Sequence, residues 1–213
     1  PAGGAHHQPR FPLMRAEPAN ASPALFDMSD LPTPAAPRRL FTALFPDAAA
    51  CAAVDAERQR WAGLPSGRLH PLPERMHLTL QCFNQVPVPA ERAWLQALSA
   101  LRFQPFEIVL DRAELWHAPS GLIVVLRPAL SAALDALHRA TAQLARQAGL
   151  PAATQGFKPH LTTLRRAQAT ELSPLRQPIG WRVSAVDLIW SDLHARPPRY
   201  HRLGRFPDRC APG

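Results

Sequence analysis

Lysine is almost missing from this chain. Of the 24 lysine and arginine residues among its 213, Lys158 is the only lysine. Arginine keeps its charge at any working pH, and its planar fork suits phosphate oxygens. With a net charge of +8, that composition permits a polyanionic partner. A genomic preference for arginine codons accounts for the excess equally well, and charge alone does not make a nucleic-acid-binding protein. Cysteine is scarce too. Cys51, Cys82 and Cys210 are widely spaced, odd in number and free of any C-x-x-C pair, which argues against a disulfide scaffold or a zinc knuckle. Cys51 and Cys82 fall at apolar positions and read as small core residues, so a cytoplasmic location is expected. Long apolar runs are absent, as is a basic patch leading into one, so neither a membrane partner nor a secretory signal is expected.

Proline is what the chain has in plenty, with 25 residues. Eight fall in residues 1 to 37, which are also rich in alanine and small polar groups. Few side chains there can bury an apolar face, so a flexible leader is expected. The His6-His7 pair within it is not read as a metal site. Residues 38 to 207 are expected to form one bilobal domain, with 208 to 213 as a tail. A chain of this length supports one good-sized core or two tightly joined lobes.

Leu40-Phe41-Thr42-Ala43-Leu44-Phe45 is apolar on both faces, as a covered central strand would be. Pro46 and Asp47 then open a helix, expected to place proline at its first position and the acid in its first turn, and to run to about Trp61. After a loop over residues 65 to 75, the chain predicts a strand at 76 to 83, a turn over 84 to 89, and a helix at 90 to 98. A hairpin of strands at 104 to 116 and 121 to 127 follows. The next helix opens at Pro128, with Leu130, Leu134, Leu137, Thr141 and Leu144 at helical period and Gly149 as its stop. The remaining strands are expected around 160, at 179 to 192 as one long element, and at 200 to 206.

Within that frame one short pattern occurs twice. His77-Leu78-Thr79-Leu80 and His160-Leu161-Thr162-Thr163 lie 83 residues apart, each in a strand-like run behind a helix. Strand side chains alternate faces, so His77 shares a face with Thr79 and His160 with Thr162. The spacing fits a duplicated α+β unit. One such pattern arises by chance; two in matching contexts are much harder to dismiss.

Two imidazoles facing one cleft can divide the roles of general base and general acid. One takes a proton from attacking water and the other protonates a departing oxygen. Threonine hydroxyls beside them can donate hydrogen bonds to phosphate oxygens as charge builds. Hydrolysis of a strained cyclic phosphate diester needs no more than this, so no metal or other cofactor is expected. No carboxylate-rich cluster accompanies either copy.

With these motifs the chain resembles the 2H phosphoesterase superfamily, and within it the bacterial RNA 2′,3′-cyclic phosphodiesterases, often labelled 2′-5′ RNA ligases. The resemblance covers roughly residues 39 to 207. It includes the Arg39-Leu40-Phe41-Thr42-Ala43-Leu44 strand with Pro46 after it, both His-x-Thr motifs, Phe157-Lys158-Pro159 before the second, and Tyr200-His201-Arg202-Leu203. It implies a bilobal, pseudo-two-fold α+β fold with antiparallel sheets around a central cleft and helices on the outer faces. It also implies a metal-independent hydrolysis of RNA 2′,3′-cyclic phosphate ends to the 2′-phosphate, with reversible 2′-5′ ligation as a secondary activity. His77 would be the general acid and His160 the general base, an assignment that two similar lobes make easy to reverse. Thr79 and Thr162 would hold the phosphate. The family's Leu-Ala-Arg after the second motif matches Thr163-Leu164-Arg165, which points to Arg165 as a phosphate ligand, whereas strict alternation favours Arg166 unless a bulge intervenes. The family's glycine after the first motif is replaced, since Phe83 is followed by Asn84, a residue that also tolerates a left-handed backbone.

Further candidates for substrate contact are Phe83, on the His77 face by alternation and free to stack on a base or pack in the core, Lys158 at the cleft mouth, and Phe41 in its floor. The expected partner is RNA ending in a 2′,3′-cyclic phosphate, or a related small cyclic phosphate, acted on by a monomer. A phosphodiesterase for a small cyclic phosphate or another RNA end is the nearest alternative. A non-catalytic RNA-binding protein would keep the fold with its histidines apart or otherwise engaged. A metal hydrolase would need further ligands converging on the pair.

Overall fold

The first central strand, β1 (Arg38–Leu44), is apolar on both faces because both are covered. Leu40 and Leu44 enter the main core, while Phe41 and Ala43 join Ile189 in a small cluster on the opposite face. The computed structural model describes residues 36–62, 68–69, 75–167, 172–195 and 199–207, all within the unit Ala35–Gly213. The expected leader, apart from Ala36 and Pro37, lies outside the described residues, as do the tail with Cys210, residues 63–67 and residues 70–74 with His70.

Among the described residues, three helices and eight further strands follow β1. In chain order they are α1 (Ala48–Ala62), β2 (Arg68–Leu69), β3 (Leu78–Val86), α2 (Val88–Ser99), β4 (Phe106–Ala118), β5 (Gly121–Pro128), α3 (Ala132–Gln147), β6 (Leu161–Ala167), β7 (Ile179–Val183), β8 (Val186–Asp192) and β9 (Arg199–Phe206). The strands form one sheet in the order β7-β4-β5-β6-β3-β1-β8-β9, with β2 added alongside β6. Every paired neighbour is antiparallel. Two four-stranded arms therefore meet where β6 touches β3, and only Leu78 and Leu161 are in register at that seam. This is the expected bilobal α+β architecture.

The helices exchange arms. The helix before β3, α1, packs on β6 and β7, and the helix before β6, α3, packs on β3 and α2. Val54 and Trp61 of α1, Trp94 and Leu98 of α2, and Leu134 and Leu137 of α3 are fully or nearly fully buried. Losing a buried aromatic such as Trp94 would cost about 3–5 kcal/mol.

Several boundaries differ from the sequence expectation. Asp47 is not in the first turn of α1 but caps it, accepting from the Ala50 N–H at 2.8 Å, as short acidic side chains do at that position. In α3 the cap is Ser131, which accepts from the Leu134 N–H at 3.2 Å. That leaves Leu130 before the helix and 98% exposed despite its place in the apolar period. The strand of the first motif runs on to Val86, through the expected turn, and α2 starts directly after Pro87. The long strand expected over 179 to 192 is two strands in different arms of the sheet. β7 joins β4 in one arm, and β8 joins β1 and β9 in the other. Among the described helices none is long and apolar enough to cross a membrane.

Candidate active site

At the seam the two motifs repeat in three dimensions. Burial runs intermediate, buried, intermediate, buried, buried, exposed from His77 to Cys82, and the same from His160 to Arg165. The doubled buried pair in each run marks a β-bulge. Thr42 of β1 faces Gln81 while Ala43 faces Thr79, which leaves Leu80 as the extra residue. Val124 of β5 faces Leu164 while Val125 faces Thr162, which leaves Thr163 extra. A bulge frees backbone groups that need new partners, and a threonine serves in each. The Gln81 N–H donates to Thr42 Oγ1 at 3.2 Å, and Thr163 Oγ1 donates to the Val124 carbonyl at 3.1 Å.

These bulges decide which side chains face the cleft. Alternation alone puts Phe83 and Arg166 beside the histidines. The bulge at Leu80 turns Phe83 to the other face, where it packs edge-on against Trp94 at 5.2 Å, and Cys82 takes its place. The bulge at Thr163 brings Arg165 to the cleft and leaves Arg166 exposed at φ 55°. Cys82 is itself exposed rather than the core residue expected.

The cleft is a hollow of about 490 Å³ whose walls include His77, Thr79, His160, Thr162, Arg165 and Phe41. Lys158 does not line it; it borders an adjoining hollow of about 740 Å³, which shares Thr79, Cys82 and His160 with the cleft and also includes Phe83. Arg39, Arg75 and Tyr200 line the cleft as well, and no sequence pattern singles them out as site residues. Among the described lining residues there is no carboxylate. Three arginines give this hollow a positive lining.

Both imidazoles are oriented by the same device. Nδ1 of His77 lies 2.6 Å from the Arg75 carbonyl, and Nδ1 of His160 lies 2.8 Å from the Lys158 carbonyl. A carbonyl only accepts, so Nδ1 carries the proton in each ring and Nε2 is left with its lone pair. The walls around the two rings differ. His77 stacks on Phe41 with centroids 4.8 Å apart and meets Tyr200 edge-on at 5.7 Å. His160 leans on Trp116 at 4.7 Å, with the Arg127 guanidinium 5.2 Å from that indole.

Burial, with added repulsion from His160, Arg75 and Arg165, lowers the pKa of His77 to about 4. Burial also lowers that of His160, with Arg127 and Arg165 adding to the effect. A hydrogen bond to a backbone carbonyl opposes the shift in both. Two imidazoles, the hydroxyls of Thr79 and Thr162, and three arginines thus converge on one hollow.

The family model described as the 2′-5′ RNA ligase superfamily matches residues 46–195. Among curated proteins no significant match is found. Of solved structures, the chain is similar to Escherichia coli LigT in apo form, with 27% identity, 81% of this chain and 98% of that one covered, and a TM-score of 0.70. The same protein complexed with 3′-AMP matches at 26% identity, 81% and 98% coverage and a TM-score of 0.70. TT0787 of Thermus thermophilus shares the fold at 22% identity, with 79% and 96% covered and a TM-score of 0.67.

Proposed function

This chain is a member of the 2′-5′ RNA ligase superfamily of 2H phosphoesterases, and from that premise we propose that it hydrolyses RNA 2′,3′-cyclic phosphate ends to the terminal 2′-phosphate. The observation that carries the reading is the pair of imidazoles lining one hollow, each with Nδ1 tied to a backbone carbonyl and Nε2 available for proton transfer. A merely RNA-binding descendant of the fold would have no need to orient both rings in this way.

In the proposed reaction Nε2 of His160 takes a proton from water as its oxygen attacks phosphorus. The bond from phosphorus to the ribose 3′ oxygen breaks, and His77 delivers a proton to that oxygen. Thr79 and Thr162 donate to the non-bridging oxygens, and Arg165 offsets their charge. His77 is neutral in the free protein at pH 7, since its pKa lies near 4. A bound phosphate anion counters the repulsion from Arg75, Arg165 and His160 and so favours the charged imidazole that a general acid must be. If the 5′-hydroxyl of a second RNA attacks instead of water, the same steps give a 2′-5′ linkage, so ligation is the secondary activity. No step requires a cofactor.

Incubation with a short oligonucleotide ending in 2′,3′-cyclic phosphate, with EDTA present, tests the reading. Release of the 2′-phosphate isomer is expected. An intact end, or a 3′-phosphate product, would contradict it.

A further inference from the structure

The cleft holds more positive charge than one phosphodiester anion requires. Arg39 and Arg75 line it in addition to Arg165. The Arg75 guanidinium lies 4.1 Å from the centre of the Tyr200 ring, and that ring is 5.7 Å from His77. One aromatic ring therefore separates this cation from a catalytic imidazole. Its charge is felt there, being among the causes that lower the His77 pKa.

Several other described arginines have carboxylate partners. Arg38 pairs with Glu91 at 3.0 Å and Arg205 with Asp187 at 3.6 Å, while Arg58 pairs with Asp55 and Arg60 with Glu57. Among the described residues Arg39, Arg75 and Arg165 have none. Nε of Arg75 is buried and has no hydrogen-bond partner among the described residues, an arrangement that costs free energy. The aromatic face of Tyr200 fixes the guanidinium in place by cation–π attraction. Arg75 is thereby held at the cleft without a carboxylate partner among the described residues.

On an RNA end, the next anion along the strand is the phosphate on the 5′ oxygen of the terminal nucleotide, one ribose from the reacting group. We propose that Arg75, with Arg39 on the same cleft, binds that 5′-phosphate, so that the enzyme selects RNA ends over nucleoside 2′,3′-cyclic phosphates that lack it. This rests on the function proposed above and names what the cleft recognises beyond the reacting phosphate. Arg75 is then a specificity determinant, held by Tyr200, and separate in role from Arg165.

The test compares uridine 2′,3′-cyclic phosphate with the same nucleotide carrying a 5′-phosphate, at low salt, where such contacts are least screened. In the wild type the added phosphate raises kcat/KM by about tenfold or more, as a charge-assisted contact would. Arg75→Met abolishes this gain, whatever its rate on the simpler nucleotide, and so does Tyr200→Leu, which removes the platform and serves should Arg75→Met not fold. Arg165→Met slows both substrates and keeps the gain. A wild type that hydrolyses uridine 2′,3′-cyclic phosphate but shows no gain overturns this inference and leaves the proposed function standing. A gain that survives in the folded Arg75 and Tyr200 variants overturns the role of Arg75. Failure to hydrolyse both nucleotides and a cyclic-phosphate oligonucleotide alike overturns the functional reading and this inference with it.

Discussion

Cys82 stands on β3 where Arg165 stands on β6. Each is the fifth residue after its histidine, each follows a bulge, and each is exposed in the cleft. The pseudo-two-fold is thus broken in chemistry: one arm offers a guanidinium where the other offers a thiol. The positive charge of this pair of positions therefore lies on the β6 side.

Replacing Arg165 by methionine therefore lowers kcat/KM on a cyclic-phosphate end by about ten- to a hundredfold, the loss expected for a charged hydrogen bond. Arg166→Met has a far smaller effect, because the bulge at Thr163 keeps it off the cleft lining. Steady-state rates of the two variants decide the matter. Equal losses would contradict the placement.

The thiol predicts a handle on activity. Labelling Cys82 with N-ethylmaleimide, in a chain whose Cys210 is replaced by serine, fills the space between the histidines and stops turnover. Cys51 reacts more slowly, since it is half-buried, lies 3.7 Å from the Pro46 carbonyl and has its pKa raised by burial. Mass spectrometry should show inactivation tracking the Cys82 adduct, and Cys82→Ser should resist the reagent. Full labelling of Cys82 with undiminished turnover would contradict this geometry.

Stability should depend on pH through His77. Its folded pKa is depressed to about 4 from an ordinary value of about 6.5, so between those values the unfolded chain binds the proton more readily. Stability is fully present above the unfolded value, falls as pH drops through this window, and levels off below the folded value. The burial of neutral His77 accounts for about 3 kcal/mol of that fall. Urea unfolding at pH 7 and pH 4 should show a smaller loss for His77→Gln than for the wild type. Equal losses would mean that the ring is not desolvated as described.

Much of the fold and of the site is legible in the amino-acid sequence. The alternation His-x-Thr places four polar groups on two strand faces, and β1 announces its central position by being apolar on both faces from Leu40 onward. What alternation cannot reveal is a bulge, because it is defined by the register of a partner strand: Ala43 opposite Thr79, Val125 opposite Thr162. Simple alternation assigns Phe83 and Arg166 to the wrong face for that reason. The break at Ser184 and Ala185 is hidden for a similar one. Ile179, Trp181 and Val183 bury alternate positions just as one continuing strand would, and only pairing with β4 or β1 separates β7 from β8. Tyr200 and Arg75 reach the site from a distant strand and from the residues before β3, and no local pattern joins them.

The most direct test of paired-histidine catalysis uses two substrates, an oligonucleotide 2′,3′-cyclic phosphate and its analogue with sulfur in place of the bridging 3′ oxygen. A thiolate leaves without being protonated, so the analogue bypasses the general acid alone. On the oxygen substrate, His77→Gln and His160→Gln should each lose about 10²- to 10⁴-fold in rate. On the sulfur substrate His77→Gln should recover close to the wild-type rate, while His160→Gln should not. Rescue of both variants, or of neither, or a loss in either histidine variant no greater than that of a surface substitution, would contradict the division of labour between these two rings.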